Sequence, residues 1–367
     1  MKIGTRFGIV ASAAVLTLAL AGCSSNEPAS TPSASATETQ APLSGELNGA
    51  GSTAQQSAME AWVAGFEAKN PNLVINYDAV GSGGGRTQFL DGSVSWAGSD
   101  GLMSADEYAA AVTRCGPDGA IHLPVYVSPI AVLFNITGIS SLNLSADVLG
   151  QIFDGKITNW NDPAIAADNA GVSLPNLAIT VVHRSDDSGT TKNFTDYLKK
   201  ASTTWSYAAA GVWPNNVGEG GAGTSGVIDL LNSTQGTIGY ADASRAGTFG
   251  TGKIKVGSTW VGHSAEGAAK AVAISSFSTT ANGANDLAYS LDRTTTDPSA
   301  YPLVLVSYAI VCQHYTDANE RALVTGFLKY QVSAEGQATA ASAAGSAPLP
   351  ADLITRETAI LNTIAAG

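Results

Sequence analysis

The chain has 367 residues, and at about 100–200 residues per domain this length allows two or three domains. Hydrophobic residues make up 44% of the chain, which excludes an intrinsically disordered acidic protein and is enough for a large core. The formal charge of −12 argues against a nucleic-acid partner, and three cysteines are too few for a disulfide-dense scaffold or a cysteine-rich zinc module.

Residues 1–22 have the features of a signal peptide. Lys2 and Arg6 form a short basic start, and the apolar stretch at 9–20 is too short for a transmembrane helix. Residues 20–23 (LAGC) resemble a bacterial lipobox, which implies cleavage before Cys23 and lipid attachment to its sulfur. The alternative is an ordinary signal peptide with an incidental cysteine.

A linker and then a folded region are predicted after the lipobox. Residues 23–46 consist of Cys23 and a segment rich in Ser, Thr, Pro and Ala, which is typical of a disordered tether. From residue 47, apolar runs and helical spacings alternate along the chain. The predicted strands cover 73–80, 93–98, 125–136, 177–184 and 303–312, and the predicted helices cover 54–70, a short segment around 89–90, 191–200, 321–332 and much of the tail. This alternation favours an α/β fold with mostly parallel sheets.

Two cysteines remain once Cys23 is set aside. Cys115 and Cys312 belong to a chain that is predicted to be exported, and in exported proteins such a pair often forms a disulfide. Two buried free thiols are the alternative, and the sequence does not decide between them.

One local pattern occurs three times: a strand, a Gly/Ser/Thr loop, and a helix. The loops are at residues 49–53 (GAGST), 81–85 (GSGGG) and 188–190 (SGT). A helix N-terminus carries free N–H donors and roughly +0.5 charge, so each loop is a candidate anion site. Ser and Thr are also the favoured helix caps, and a single loop of this kind would indicate no more than that. Three of them in one chain favour a bound anion.

The side chains near these loops suit a small tetrahedral oxyanion. Arg184 can offer a planar fork of donors to two oxygens. Asp100 can accept a hydrogen bond from an anion that still carries a proton, but it repels a fully deprotonated one such as sulfate. The structural alternatives are a turn cap for Asp100 and an ion pair with Asp186 or Asp187 for Arg184. The hydroxyl donors in this set are Ser52, Thr53, Ser82, Ser188 and Thr190.

Four motifs in order resemble those of a known family. Residues 48–53 (NGAGST), 80–84 (VGSGG), 98–100 (GSD) and 184–190 (RSDDSGT) stand at similar spacing to the motifs of PstS-type phosphate-binding lipoproteins of ABC importers. The resemblance extends from about residue 47 to about 330, with 154–160 (DGKITNW) as a further block. Each glycine-rich loop is weak evidence alone, but the combination is specific.

The resemblance implies a set of phosphate ligands and no catalytic residue, cofactor or metal. Asp100 would accept the proton of the phosphate, and Asp186 would pair with Arg184. Ala54 would act through its backbone N–H, since many relatives have Phe at this position. The implied phosphate ligands are Ser52, Thr53, Ala54, Ser82, Asp100, Arg184, Ser188, Gly189 and Thr190.

The resemblance also implies a two-lobed periplasmic-binding-protein fold of type II, with mixed, mostly parallel sheets. Lobe I would comprise 47–127 and 308–367, and lobe II would comprise 128–307. The chain would cross between lobes near 127–130 and 303–308. Both remaining cysteines would then lie in lobe I. The implied protein is a monomer on the outer face of the cell membrane, anchored through Cys23, that delivers inorganic phosphate to the permease subunits of an ABC transporter.

Other functions need different residues. Residues 247–253 (GTFGTGK) nearly match a phosphate-binding Walker A loop, but Ile254 replaces the hydroxyl that binds magnesium. Residues 218–223 (GEGGAG) match a dinucleotide-binding pattern, but no strand is predicted before them. The four histidines are dispersed, so they suggest no zinc site. A phosphatase using Ser188 and Asp100, a binder of sulfate or molybdate, and a surface adhesin with the same fold are the alternatives.

Overall fold

The computed structural model describes residues 42–366, so the predicted signal peptide, Cys23 and most of the predicted linker lie outside the described residues. β1 begins at Ser44, inside the stretch predicted as linker. The strands are β1 (Ser44–Gly51), β2 (Asn72–Asp78), β3 (Trp96–Ser99), β4 (Ala120–Phe134), β5 (Ser141–Asn143), β6 (Thr180–Arg184), β7 (Glu219–Gly221), β8 (Thr237–Asp242), β9 (Gly250–Val256), β10 (Thr259–Val261), β11 (Ser276–Phe277), β12 (Tyr289–Ser290), β13 (Val304–Cys312), β14 (His314–Tyr315) and β15 (Ala365–Ala366).

Helices follow most of these strands. They are α1 (Gln56–Glu67), α2 (Ser82–Leu90), α3 (Ala105–Cys115), α4 (Ala146–Phe153), α5 (Pro163–Asp168), α6 (Gly189–Ala201), α7 (Gly223–Ser233), α8 (Ala265–Ala273), α9 (Ala318–Val332), α10 (Ala334–Ala344) and α11 (Ala351–Thr363). In the part of the chain that the structure describes, no helix is long and apolar enough to cross a membrane.

The main sheet is mixed, with parallel pairs toward its two ends and antiparallel pairs in the middle. Its strands lie in the order β2-β1-β3-β13-β4-β8-β6-β7, and β9 joins β5 and β10 to β4. β1 pairs in parallel with β2 and β3, and β6 pairs in parallel with β7 and β8. The prediction of mostly parallel sheets therefore holds for the two ends and not for the centre.

Two long strands connect these parallel groups. β4 is buried along its whole length, as is β13. The first part of β4 pairs with β13, and its last residues, Ile130–Phe134, pair with β8. Because β4 and β13 each pair antiparallel to their neighbours, they interrupt the parallel order at the centre.

Two predicted element boundaries were wrong for physical reasons. α2 begins at Ser82 and contains the glycines predicted as a loop. A methyl group on Gly85 would lie 2.6 Å from the carbonyl oxygen of Ala50, so these glycines let α2 pack against β1. β4 begins five residues before its predicted start. The added part contains His122, which is buried in the strand because its ring accepts the N–H of Met103 and contacts the carboxylate of Asp286.

A disulfide links the end of α3 to the end of β13. Cys115, the last residue of α3, is bonded to Cys312, the last residue of β13, with a Cα–Cα distance of 5.1 Å. Both cysteines are buried. The disulfide, which the sequence left open, is thus the arrangement that the structure contains.

Candidate functional site

Three parallel strands bring three polar segments to one edge of the sheet. Ser52 and Thr53 follow β1, Ser82 starts the helix after β2, and Asp100 follows β3. The carboxyl ends of parallel strands lie at the same edge, so these residues are neighbours although they are far apart in sequence. The N–H of Asp100 donates to Ser82 Oγ at 3.1 Å, and the N–H of Ser52 donates to the carbonyl of Gly98 at 2.9 Å. We call this set the strand-end group.

A second polar group comes from one continuous segment, residues 184–190, which we call the junction segment. Arg184 ends β6, Ser188 is the N-cap of α6, and Gly189 and Thr190 form the first turn of that helix. Ser188 Oγ accepts the N–H of Thr191 at 3.2 Å. The N–H groups of Gly189 and Thr190 have no acceptor within the helix, so they form its positive end.

Arg184 and Asp186 form an ion pair within the junction segment. Arg184 donates from Nε to Oδ1 of Asp186 at 2.7 Å and from Nη2 to Oδ2. Asp186 Oδ1 also accepts the N–H of Gly223 at 3.1 Å. Burial alone would raise the pKa of Asp186, but these hydrogen bonds and the charge of Arg184 outweigh it and hold the pKa below its usual value. The predicted pairing of the two side chains is present.

The strand-end group and the junction segment touch each other. Thr190 donates its hydroxyl to Oδ2 of Asp100 at 3.2 Å. A methyl group on Gly189 would lie 2.5 Å from Ser82 Oγ, and one on Gly81 would lie 3.2 Å from Nη2 of Arg184. The structure therefore brings Ser82 and Asp100 into contact with the first turn of α6. All nine sequence-predicted ligand residues are buried.

Asp100 is the single acid in the centre of this arrangement that lacks a cationic hydrogen-bond partner. Its side chain is 4% exposed, and Oδ1 accepts the hydroxyl of Ser307 at 2.7 Å. Burial raises the pKa of Asp100 above its ordinary value, while hydrogen bonds from Ser52, Ser307 and Thr190 and the charge of Arg184 act in the opposite direction. The carboxyl group is thus held as a hydrogen-bond acceptor among hydroxyl donors.

The N–H of Ala54, which is its predicted ligand group, is already engaged in a hydrogen bond. Its N–H donates to Ser52 Oγ at 3.1 Å, which closes a turn at the entrance to α1. For this N–H to reach an anion, the hydroxyl of Ser52 must release it or share it.

Sequence reasoning missed the N-terminus of α7. No strand is predicted before residues 218–223, but residues of this segment themselves form β7, which pairs with β6. Gly223 then begins α7, and the Thr224 hydroxyl shares a hydrogen bond of 2.8 Å with that of Thr53. A glycine-rich strand has no apolar periodicity, so only the repeated strand–glycine–helix order could have indicated it.

Ser307 and Asn193 were also missed. Ser307 lies in β13, where a run of apolar residues hides its contact with Asp100. Asn193 donates from Nδ2 to the carbonyl oxygen of Asp100 at 2.7 Å and so ties α6 to the end of β3. Nothing in the local sequence marks either residue.

The groups at the site suit an anion better than a cation. Within residues 42–366, no group of three or more His, Cys, Asp or Glu side chains is arranged to hold a metal ion. The groups that face one another are hydroxyls, helix N-terminal N–H groups, one guanidinium and one protonatable carboxyl group. Such a set can enclose a small oxyanion that keeps a proton.

Comparison with known proteins agrees with this fold and site. A family model described as a PBP superfamily domain matches residues 36–335, so the molecule is of the periplasmic-binding-protein class. Phosphate-binding protein PstS 3 of Mycobacterium leprae (strain TN) is 37% identical, with 99% of each chain covered. Phosphate-binding protein PstS2 of Mycobacterium bovis (strain BCG / Pasteur 1173P2) is 37% identical, covering 99% of this chain and 100% of the relative. The chain belongs to the PstS family of phosphate-binding proteins.

Solved structures show the same fold. A high-affinity periplasmic phosphate-binding protein (PfluDING), solved with phosphate at pH 8.5, superposes with a TM-score of 0.67 at 25% identity, covering 87% of this chain and 93% of that one. The ancestral soluble variant of the Human Phosphate Binding Protein superposes with a TM-score of 0.68 at 21% identity, covering 87% and 98%. The second likeness concerns the fold alone.

Proposed function

We propose that this protein binds one inorganic phosphate between the strand-end group and the junction segment, reversibly and without metal. The observation that carries this proposal is the placement of buried Asp100 among hydroxyl donors, opposite the Arg184 guanidinium and the N-terminus of α6. A phosphate that keeps one proton can donate it to Asp100 and accept from all the other groups. The names of the full-length relatives support the same ligand.

Each predicted ligand has a defined role in this proposal. Arg184, oriented by Asp186, would donate to phosphate oxygens. Gly189 and Thr190 would donate backbone N–H groups from the helix end, and Ala54 would donate its N–H. Thr53, Ser82 and Ser188 would donate their hydroxyl hydrogens to the phosphate, and Ser52 would do the same once its hydroxyl turns away from Asp100.

The acidic surface does not prevent anion binding. Surface charges are screened beyond roughly 8–10 Å at moderate salt, whereas dipoles and charges aimed into a buried site are screened far less. The formal charge of −12 is spread over the whole sequence, but the donors converge on one point. The local groups therefore dominate the free energy of binding.

The proposed site would capture phosphate by closure of two lobes. β4 and β13 would be the crossing strands, with lobe I at 47–127 and 308–367 and lobe II at 128–307. The strand-end group belongs to the first lobe and the junction segment to the second. A ligand that touches both lobes favours their closed arrangement, because it binds that arrangement more tightly than the open one.

Export, anchoring and delivery complete the proposed function. The protein would be held by a lipid on Cys23 at the outer face of the cell membrane and would hand phosphate to the permease subunits of an ABC importer as a monomer. Tethering raises the local concentration of the loaded protein near the permease. Mass spectrometry of the membrane fraction would detect a lipidated N-terminal cysteine.

Calorimetric titration with phosphate and with sulfate tests the ligand. We expect one phosphate per chain and much weaker sulfate binding, because a deprotonated sulfate faces the Asp100 carboxylate without a hydrogen to share. Absence of phosphate binding would reject the proposal, and equal affinity for sulfate would make the protein a general oxyanion binder. Slow hydrolysis of a phosphomonoester would indicate a phosphatase instead.

A further inference from the structure

Two consecutive aspartates in the junction segment have different partners. Asp186 pairs with Arg184, two residues before it. Asp187 instead reaches Arg86 of α2, with 3.3 Å between its Oδ2 and Nη2 of the arginine. The second pair therefore joins the junction segment to the helix that carries Ser82.

Arg86 is held firmly on its own side of the site. Its side chain is 6% exposed, Nε donates to Oε1 of Glu107 at 2.7 Å, and Nη1 donates to Ser99 Oγ at 3.1 Å. Glu107 is itself fixed, because its Oε2 accepts the N–H of Ser104 at 2.7 Å in the capping box of α3. The planar guanidinium thus has a set orientation and presents Nη2 toward Asp187.

Asp187 is also positioned by its backbone. Its carbonyl oxygen accepts the N–H of Gly83 at 3.0 Å, and a methyl group on Gly83 would lie 2.5 Å from the Asp187 Cβ. The next residue, Ser188, donates its N–H to the carbonyl of Gly211 at 3.0 Å. The carboxylate remains 45% exposed, so it is in contact with water beside the Arg86 pair.

We propose that Asp187 and Arg86 form a latch that holds the closed site together without touching the bound anion. The pair, with the neighbouring Gly83 contact, exists only when α2 and the junction segment are adjacent. An interaction made only in the closed arrangement shifts the equilibrium toward it and slows release of the ligand. This inference rests on the proposed phosphate binding, and both residues are positioning residues rather than ligands.

Removal of the charge on Asp187 should change phosphate affinity in opposite directions for a latch and for simple repulsion of the anion. An acid near an anion site repels the anion, so if Asp187 acts only through its field, its neutralisation would tighten phosphate binding. If it acts as a latch, neutralisation weakens binding. Asp187→Asn keeps the size of the side chain and the backbone contact with Gly83, and it removes only the charge.

The experiment measures phosphate affinity by calorimetry and phosphate release by stopped-flow fluorescence. For Asp187→Asn we expect the dissociation constant to rise about two- to fivefold, which is the range for a half-exposed ion pair. The rise should come from faster dissociation, with association nearly unchanged. The difference from wild type should shrink at high salt. Asp229→Asn, on the exposed side of α7, is the control for loss of one negative charge.

A double-mutant cycle with Arg86→Gln separates the latch from a general loop effect. If the two residues act together, Arg86→Gln accelerates release in the wild type but adds little to Asp187→Asn. Should Arg86→Gln fail to fold, because Glu107 loses its partner, the salt series on Asp187→Asn still decides. Unchanged or tighter phosphate binding by Asp187→Asn overturns the latch.

Hydrogen exchange without ligand separates this inference from the proposed function. With no phosphate present, the latch predicts faster exchange of the Gly83 N–H in Asp187→Asn than in wild type. Equal exchange in the two proteins contradicts the latch even if the wild type binds phosphate. Failure of the wild type to bind phosphate, with the exchange difference present, overturns the proposed function and leaves the latch as a contact between the two sides.

Discussion

The two sides of the site are constructed in opposite ways. The junction segment is one stretch of chain in which Arg184, Asp186 and the Ser188 cap arrange one another through bonds between near neighbours. The strand-end group needs three separate segments, and their alignment depends on the register of β1 with β2 and β3. The difference shows that one side is a local motif, while the other exists only once the sheet has formed.

Variants in the two groups should therefore differ in their effects on phosphate binding and on the folded sheet. A change in the junction segment should alter binding and leave the sheet intact. A change in the strand-end group affects residues that also hold neighbouring strands and helices together, as the hydrogen bond between Ser82 Oγ and the Asp100 N–H does.

The largest effect is expected for Arg184→Ala in the junction segment. Loss of this buried guanidinium removes the cation of the site and leaves the Asp186 carboxylate unpaired beside the anion. Phosphate affinity should fall roughly 30-fold or more, as expected when one member of a buried charge pair is truncated. Calorimetry measures the affinity, and Arg321→Ala on α9 is the control. Loss of the cooperative melting transition would instead assign Arg184 a role in folding.

Gly189→Ala should affect the contact between the two sides. The new methyl group would lie 2.5 Å from Ser82 Oγ and 2.8 Å from the Cβ of Asp100, so the sides must separate slightly. We expect phosphate affinity to fall about tenfold, since overpacking typically costs about 1–3 kcal/mol. Gly262→Ala is the matched control, because its methyl group would meet only the Lys253 Cγ at 3.9 Å. Equal affinity of both variants would show that the sides need not touch to bind phosphate.

Asp100→Asn tests the strand-end group and should alter selectivity more than affinity. An amide no longer repels a fully deprotonated anion, and the hydroxyls of Ser307 and Thr190 can still donate to its oxygen. The preference for phosphate over sulfate should fall about tenfold, which corresponds to about 1.4 kcal/mol. Competition titration with the two anions measures this ratio. An unchanged ratio would place Asp100 outside the contact with the ligand.

The smallest effect on binding is expected for Glu357, a buried acid of α11 outside both sides of the site. Its side chain is 0% exposed, and among the described residues neither carboxylate oxygen has a hydrogen-bond partner. Burial raises the pKa of Glu357 well above its ordinary value. Because the folded state holds the proton more tightly than the unfolded state, this group costs stability increasingly as pH rises from about 4.3 to the folded pKa, and the cost is constant above it.

Replacement of this acid should therefore stabilise the protein more at high pH than at low pH. Glu357→Leu should raise the free energy of unfolding by about 1 kcal/mol or more at pH 8, by less at pH 5, and leave phosphate affinity unchanged. Glu357→Gln should remove the pH dependence alone, since its amide remains unpaired. Thermal melts across this pH range measure both variants. A stability gain that does not vary with pH would show that Glu357 takes up no proton on folding.

The sequence predicted local features well and long-range contacts poorly. The cap at Ser188 needs only near neighbours, so the motif RSDDSGT was enough to indicate it, whereas the choice of Asp186 as the partner of Arg184 came from the family resemblance. The latch between Asp187 and Arg86 links residues 101 positions apart, and the same motif could not distinguish Asp186 from Asp187. The glycines of α2 were predicted as a loop because the sequence does not show that they face the backbone of β1.

The amino-acid sequence alone was enough to indicate the strands and helices around the site and the hydroxyl and N–H donors at the helix ends, because these depend on backbone preferences over a few residues. The role of Arg184 was indicated by the family motif around it. Other features appear only in the folded protein: the disulfide, the contacts of Ser307 with Asp100 and of Thr224 with Thr53, and the antiparallel centre of the sheet. These facts depend on which strands pair. Strand pairing is set by burial of the whole core, which no short stretch of sequence contains.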